Sequence, residues 1–115
     1  MNLEDENDRL VQQWASLQKS YISGAKGCVG HHFYGRRHLL LRWDILNIIP
    51  LTPDEHRDFH DGKLKIEISN PFRRQYLINR LNKDFKDYLL EHGMTKKDFI
   101  KERNLELRRL ISESR

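Results

Sequence analysis

The stretch His31-His32-Phe33-Tyr34-Gly35-Arg36-Arg37, then Asp44-Ile45-Leu46-Asn47-Ile48-Ile49-Pro50-Leu51-Thr52-Pro53-Asp54-Glu55-His56-Arg57-Asp58-Phe59-His60, holds four of the six histidines of this 115-residue chain. Thr52 followed by Glu55 is a reciprocal capping box, and Pro53 suits a first helical turn, so a helix is expected from Pro53 to about Asp61, ending at Gly62. On it His56 and His60, four residues apart, project from one face and can share one ion. Ile45 to Leu51 is apolar and β-branched, a strand that Pro50 confines to an end or edge. Cys28, Val29 and the paired histidines form a second short strand, in which adjacent side chains point to opposite sides. One of His31 and His32 can then ligate an ion while the other faces substrate.

Three neutral imidazoles leave coordination positions open, which distinguishes a catalytic metal site from a closed structural one. A phosphate oxygen can fill such a position. His32 is the candidate general base, because unperturbed histidine titrates near neutral pH. Arg36, Arg37 and Arg42 are candidate phosphate contacts, since guanidinium geometry favours bidentate bonds.

The ordered pattern of paired histidines, asparagine and H-x-x-x-H resembles the HNH endonuclease motif (the ββα-metal, or His-Me finger, family), particularly its nuclease-colicin type. The resemblance covers about Cys28 to Lys63. It implies a β-hairpin and helix around one divalent cation, with His31, His56 and His60 as metal ligands and His32 as general base. It further implies that Asn47 fixes the hairpin loop and helps orient the base, and that cleavage leaves 5′-phosphate and 3′-hydroxyl ends. Many HNH proteins also carry two C-x-x-C pairs for a structural zinc. Here Thr52 and Glu55 stand at the later pair and Cys28 is the only cysteine, so no structural zinc is expected. Packing of Trp43, Phe33, Ile48 and Phe59 is expected to hold the hairpin instead.

Around this centre, Leu3, Leu10, Val11, Trp14 and Leu17 recur at helical spacing and predict an amphipathic helix from Leu3 to about Lys19, within a segment 1–22. Lys63 to Ser69 alternates as a short strand or an extended linker. In the segment 70–115 two helices are expected. One is long, from Pro71 to Gly93, and the other begins at the capping box of Thr95 and Asp98 and turns Phe99, Ile100, Leu107, Leu110 and Ile111 inward. The expectation is a single α+β domain over 1–115, a ββα-metal core at 28–63 flanked by one amino-terminal and two carboxy-terminal helices.

Composition sets the outer bounds. Hydrophobic residues make up 37% and charged residues 33%, with a mean hydropathy of -0.81, which suits one small domain with solvated faces. The net charge of +4 favours a polyanionic partner, although Met1 to Asp8 contains four acidic residues and no basic one. No apolar run approaches the roughly 18 to 20 residues needed to cross a bilayer, and a lone cysteine fits a reducing compartment, so no membrane partner and a cytoplasmic location are expected.

The function these features point to is metal-dependent hydrolysis of DNA, with RNA as the other polyanion, of a kind similar to small phage or mobile-element nucleases. Imidazole ligands suit Zn²⁺ and Ni²⁺, and Mg²⁺ or Mn²⁺ are the alternatives. Two other readings stand beside it. One is a non-catalytic nucleic-acid-binding module that keeps its metal for structure. The other is an assembly or regulatory role, with the carboxy-terminal helices as a homodimer face. His38 and His92 have no motif partners and are expected at the surface.

Overall fold

Caps and turns mark out the elements. A computed structural model describes residues 2–115. Met1, which falls in the expected amino-terminal helical segment, lies outside the described residues. In chain order the elements are α1 (Leu3–Ser16), β1 (Val29–His32), α2 (Leu39–Arg42), a 3-10 turn (Ile45–Asn47), β2 (Ile48–Leu51), α3 (Pro53–His60), α4 (Pro71–Leu81), α5 (Phe85–Glu91) and α6 (Lys96–Glu113). Among the described residues this is an α+β fold of six α-helices and a two-stranded antiparallel sheet. No helix is long and apolar enough to cross a membrane.

The hairpin sits at the centre. Its register pairs Val29 with Leu51, Gly30 with Pro50, His31 with Ile49 and His32 with Ile48. Pro50 fits because the carbonyl of its residue turns outward, accepting from Tyr21 N at 2.9 Å, and no ladder donor is needed there. The same outer edge is covered by Arg73, whose Nε and Nη2 donate to the carbonyls of Leu46 (2.8 Å) and Ile48 (3.3 Å).

Both faces of the hairpin are buried. Ile48 packs with Leu10, Val11 and Ala15 of α1, with Leu40 and Trp43, and with Phe99, Leu107 and Ile111 of α6. Ile49 and Leu51 face the other way, onto Leu41, Ile66, Ile68 and Leu77. Phe33 and Phe59 are half-buried against this second cluster. A polar bond fixes α1 against α6: Asn7, fully buried, donates from Nδ2 to the Ile100 carbonyl (3.1 Å) and accepts from Asn104 Nδ2 (2.9 Å). Satisfied buried amides of this kind favour one packing over its neighbours.

Three expectations are corrected and one open alternative is resolved. The long helix over Pro71 to Gly93 is two helices, so three helices rather than two follow the hairpin unit. Asp84 accepts from Asp87 N at 3.0 Å and so caps a new helix start, which competes with continuing the old one. The amino-terminal helix stops at Ser16, because Ser20 bonds the Ile22 and Ser23 amides and Gly24 turns the chain at φ +73. Of the two alternatives for Lys63 to Ser69 the structure has the linker, which pairs with no strand and buries Ile66 and Ile68 as the alternation implies. The segment Ile45 to Leu51 divides into the 3-10 turn and β2, since the Asp44 side chain accepts from Leu46 N and caps the turn. The short α2 had no counterpart in the sequence reading.

Candidate metal centre

β1 and α3 bring three imidazoles together. Thr52 and Glu55 form the expected capping box (Thr52 N to Glu55 Oε1 2.8 Å, Glu55 N to Thr52 Oγ1 3.2 Å), and Ser20 donates to the same Oε1 at 2.5 Å. Only Thr52 therefore separates β2 from α3, whose His56 and His60 lie beside His31. One ring nitrogen from each of His31, His56 and His60 lies within 4.8 Å of the other two. His56 Nε2 and His60 Nε2 are 3.0 Å apart. The ring of His31 packs on Phe59, centroids 4.5 Å apart, which fixes the ligand side of the strand.

The donor set fits a divalent cation. Nitrogens bound about 2.0 Å from one tetrahedral ion stand about 3.3 Å from each other, so small ring rotations convert the observed spacing to coordination. The protonation states fit as well. Burial, followed by the charges of His56, His60 and His32, pushes His31 down to about 4. Burial and then His60 lower His56. Neutral imidazoles are the form that ligates.

His32 shares the cleft, about 370 Å³, with this cluster. Its Nε2 is 2.8 Å from the Arg42 carbonyl. A carbonyl only accepts, so in the neutral ring Nε2 carries the hydrogen and Nδ1 keeps its lone pair. Burial is the main influence on His32 and lowers it, although the Arg42 carbonyl pulls the other way. The residue is thus a neutral acceptor at neutral pH.

The chain matches no protein-family model, no curated protein and no solved structure. The geometry of the chain's own residues therefore carries the assignment of the site.

Asn47 does not line the cleft. It is fully buried, donates from Nδ2 to the carbonyls of Tyr34 (3.0 Å) and Leu41 (3.1 Å), and accepts from Tyr34 N at Oδ1 (2.9 Å). It closes the loop between the strands and makes no hydrogen bond to His32.

The three arginines separate. Arg36 lines the cleft. Arg37 lies in a different hollow, with His38, Arg80 and Asp84. Arg42 is drawn inward by Asp8 of α1, with Nε and Nη2 on the two carboxylate oxygens at 3.0 and 2.6 Å, and its side chain is only 20% exposed. Of the three candidate phosphate contacts, Arg36 alone lines the cleft that holds His31, His56 and His60.

Asp8 and Gln12, one helical turn apart on α1, form a wall of the cleft that sequence reasoning missed. Their only sequence signal is an i, i+4 polar pair on a helix whose apolar stripe drew the attention. His38 precedes α2 as its half-buried N-cap residue, while His92 is exposed and stacks on Tyr88 at 4.0 Å.

Proposed function

We propose that this chain is an HNH-type (ββα-metal) endonuclease that hydrolyses DNA phosphodiester bonds with one divalent cation. The observation that carries this reading is the meeting of His31 from the hairpin with His56 and His60 from the following helix, while His32, with Nδ1 free, faces the same cleft. The order of β1, β2 and α3 along the chain supports this reading. A cation held by His31, His56 and His60 would supply Lewis acidity toward a phosphate oxygen and toward the charge developing on the leaving oxygen.

The chain's own groups do the rest. His32 Nδ1 accepts the proton of the attacking water, and the Arg42 carbonyl holds the ring as the charge develops. Arg36 presents unused guanidinium donors to the phosphate. The water oxygen bonds to phosphorus as the bond from phosphorus to the 3′ oxygen breaks, and that oxygen takes a proton from solvent, leaving 5′-phosphate and 3′-hydroxyl ends.

The test is nicking of supercoiled plasmid by protein stripped with chelator and resupplied with Mg²⁺, Mn²⁺, Ni²⁺ or Zn²⁺, for wild type and His32→Ala. Metal-dependent nicking that disappears in His32→Ala is the expected result. Salt-sensitive binding of DNA and RNA without cleavage under any metal would leave a nucleic-acid-binding module and end the enzyme reading.

A further inference from the structure

The amino-terminal helix lies outside the strand-strand-helix unit, yet it places a carboxylate in the wall of the cleft. Asp8 is 21% exposed and receives four hydrogen bonds: Arg36 Nη2 (2.6 Å) and Arg42 Nη2 (2.6 Å) on Oδ2, Arg42 Nε (3.0 Å) and Trp43 Nε1 (2.9 Å) on Oδ1. A carboxylate offers about four lone-pair sites, so this one is filled. It has no acceptor left for a metal or for a substrate proton.

Its partners are the informative part. Arg36 is 58% exposed, spends one donor on Asp8, and lines the cleft with the imidazoles. Arg42 is held bidentately, and its backbone carbonyl is the group that fixes the His32 ring. Trp43, the next residue, is 2% exposed in the core, so the peptide between the two is anchored from both sides.

We propose that Asp8 is a positioning residue of the cleft: one carboxylate aims the Arg36 guanidinium at a bound phosphate and fixes the Arg42 backbone that orients His32. This rests on the reading of the cleft as a phosphodiester hydrolase. It adds that α1 is part of the functional unit, although it lies outside the hairpin and helix that carry the motif.

The test is Asp8→Asn, which keeps the shape but places an amide against four donors. The metal ligands are untouched, so Ni²⁺ affinity stays at the wild-type level. In plasmid cleavage kcat falls about 100-fold, because the base is misplaced. KM rises about tenfold with loss of the aimed guanidinium. Arg36→Ala reproduces the KM rise and leaves most of kcat, and adding it to Asp8→Asn raises KM little further.

A second readout needs no activity. In ¹H–¹⁵N spectra of the imidazoles at about pH 8, where histidine is neutral, wild-type His32 shows a single tautomer protonated at Nε2, and Asp8→Asn shows averaging of the two. Arg42→Lys, which keeps the charge and loses the paired contact, breaks the same link and takes the place of Asp8→Asn should the latter fail to fold. A fixed His32 tautomer in the variant, or kcat and KM within about twofold of wild type, overturns the role of Asp8. Wild-type protein that cleaves nothing ends the proposed function instead, and the tautomer measurement still decides the role of Asp8.

Discussion

The side-chain amide of Gln12 binds both backbone groups of Gly30, donating from Nε2 to the carbonyl at 3.1 Å and accepting from the amide at Oε1 at 2.8 Å. α1 thereby replaces the neighbouring strand that β1 lacks, immediately before the paired histidines. The approach is close. A Cβ added at Gly30 would stand 2.9 Å from Ile48 Cγ2 and 3.2 Å from Ala15 Cβ.

Gly30→Ala is therefore expected to cost about 1–3 kcal/mol, because neither neighbour is the free end of a flexible chain. Urea unfolding of the metal-free protein measures it. An unchanged midpoint would mean that α1 and β1 can separate without penalty, contrary to the packing described.

Removing a ligand should act on the metal before it acts on the fold. None of the residues of α3 is buried, and His60 is exposed at its last turn. His60→Ala is expected to lower Ni²⁺ or Zn²⁺ affinity by more than the roughly 10- to 100-fold typical of outer partners, with little change in metal-free stability. Calorimetric titration gives the affinity, and wild-type affinity in the variant would remove His60 from the site.

Acid should destabilise the metal-free protein. His31 is lowered from 6.5 to about 4, and His32 and His56 are lowered as well, so below about pH 6.5 the unfolded chain binds protons that the folded chain refuses. Stability contributed by His31 is fully present above pH 6.5, declines as pH falls, and levels off below about pH 4, where the folded ring is also charged. Urea midpoints across this range, for wild type and His31→Gln, isolate the contribution. A variant with the same pH profile as wild type would contradict it.

Asn47→Ala leaves three backbone groups of Tyr34 and Leu41 without their partner in a buried loop. Each unsatisfied group costs about 1–3 kcal/mol, less where the loop can relax toward water, so a total loss of about 2–4 kcal/mol is expected. Asn47→Asp should fare no better, because a carboxylate cannot donate to either carbonyl. Thermal unfolding separates this from a surface asparagine, for which both changes would be nearly neutral.

Asp84→Ala tests the break between α4 and α5. Loss of the cap on Asp87 N is expected to cost about 1 kcal/mol. Far-ultraviolet circular dichroism together with urea unfolding reports it, and a gain in stability would mean that one continuous helix is within reach of this sequence.

Capping boxes were the most legible local signals. Thr52 with Glu55 and Thr95 with Asp98 each specify a helix start within four residues, and α3 and α6 begin there. The grouping of His56 and His60 with one of the two strand histidines was readable as spacing, because strand alternation and the helical repeat are both local rules, while the choice of His31 over His32 came from the resemblance. The break at Asp84 was not, since Phe85, Tyr88 and Leu89 continue the apolar rhythm of α4 while a single side chain restarts the helix. α2 has four residues, too few for any period to register. Asp8 was hidden for a different reason: its partners Arg42 and Trp43 lie 34 and 35 residues away, and only the packing of α1 on the hairpin brings them together. Pairings of that kind have no signature in one sequence.

The two histidines of β1 are neighbours in a ladder of four pairs. Sliding that ladder by a single position would turn every side chain of the strand over. His31 would leave the company of His56 and His60, and His32 would take its place beside them. Pro50 has no amide hydrogen to offer a shifted partner, the outer edge of its strand is already held by Tyr21 and Arg73, and Asn47 clamps the loop that would have to lengthen. The fold thus guards the distinction between two chemically identical residues by alignment alone.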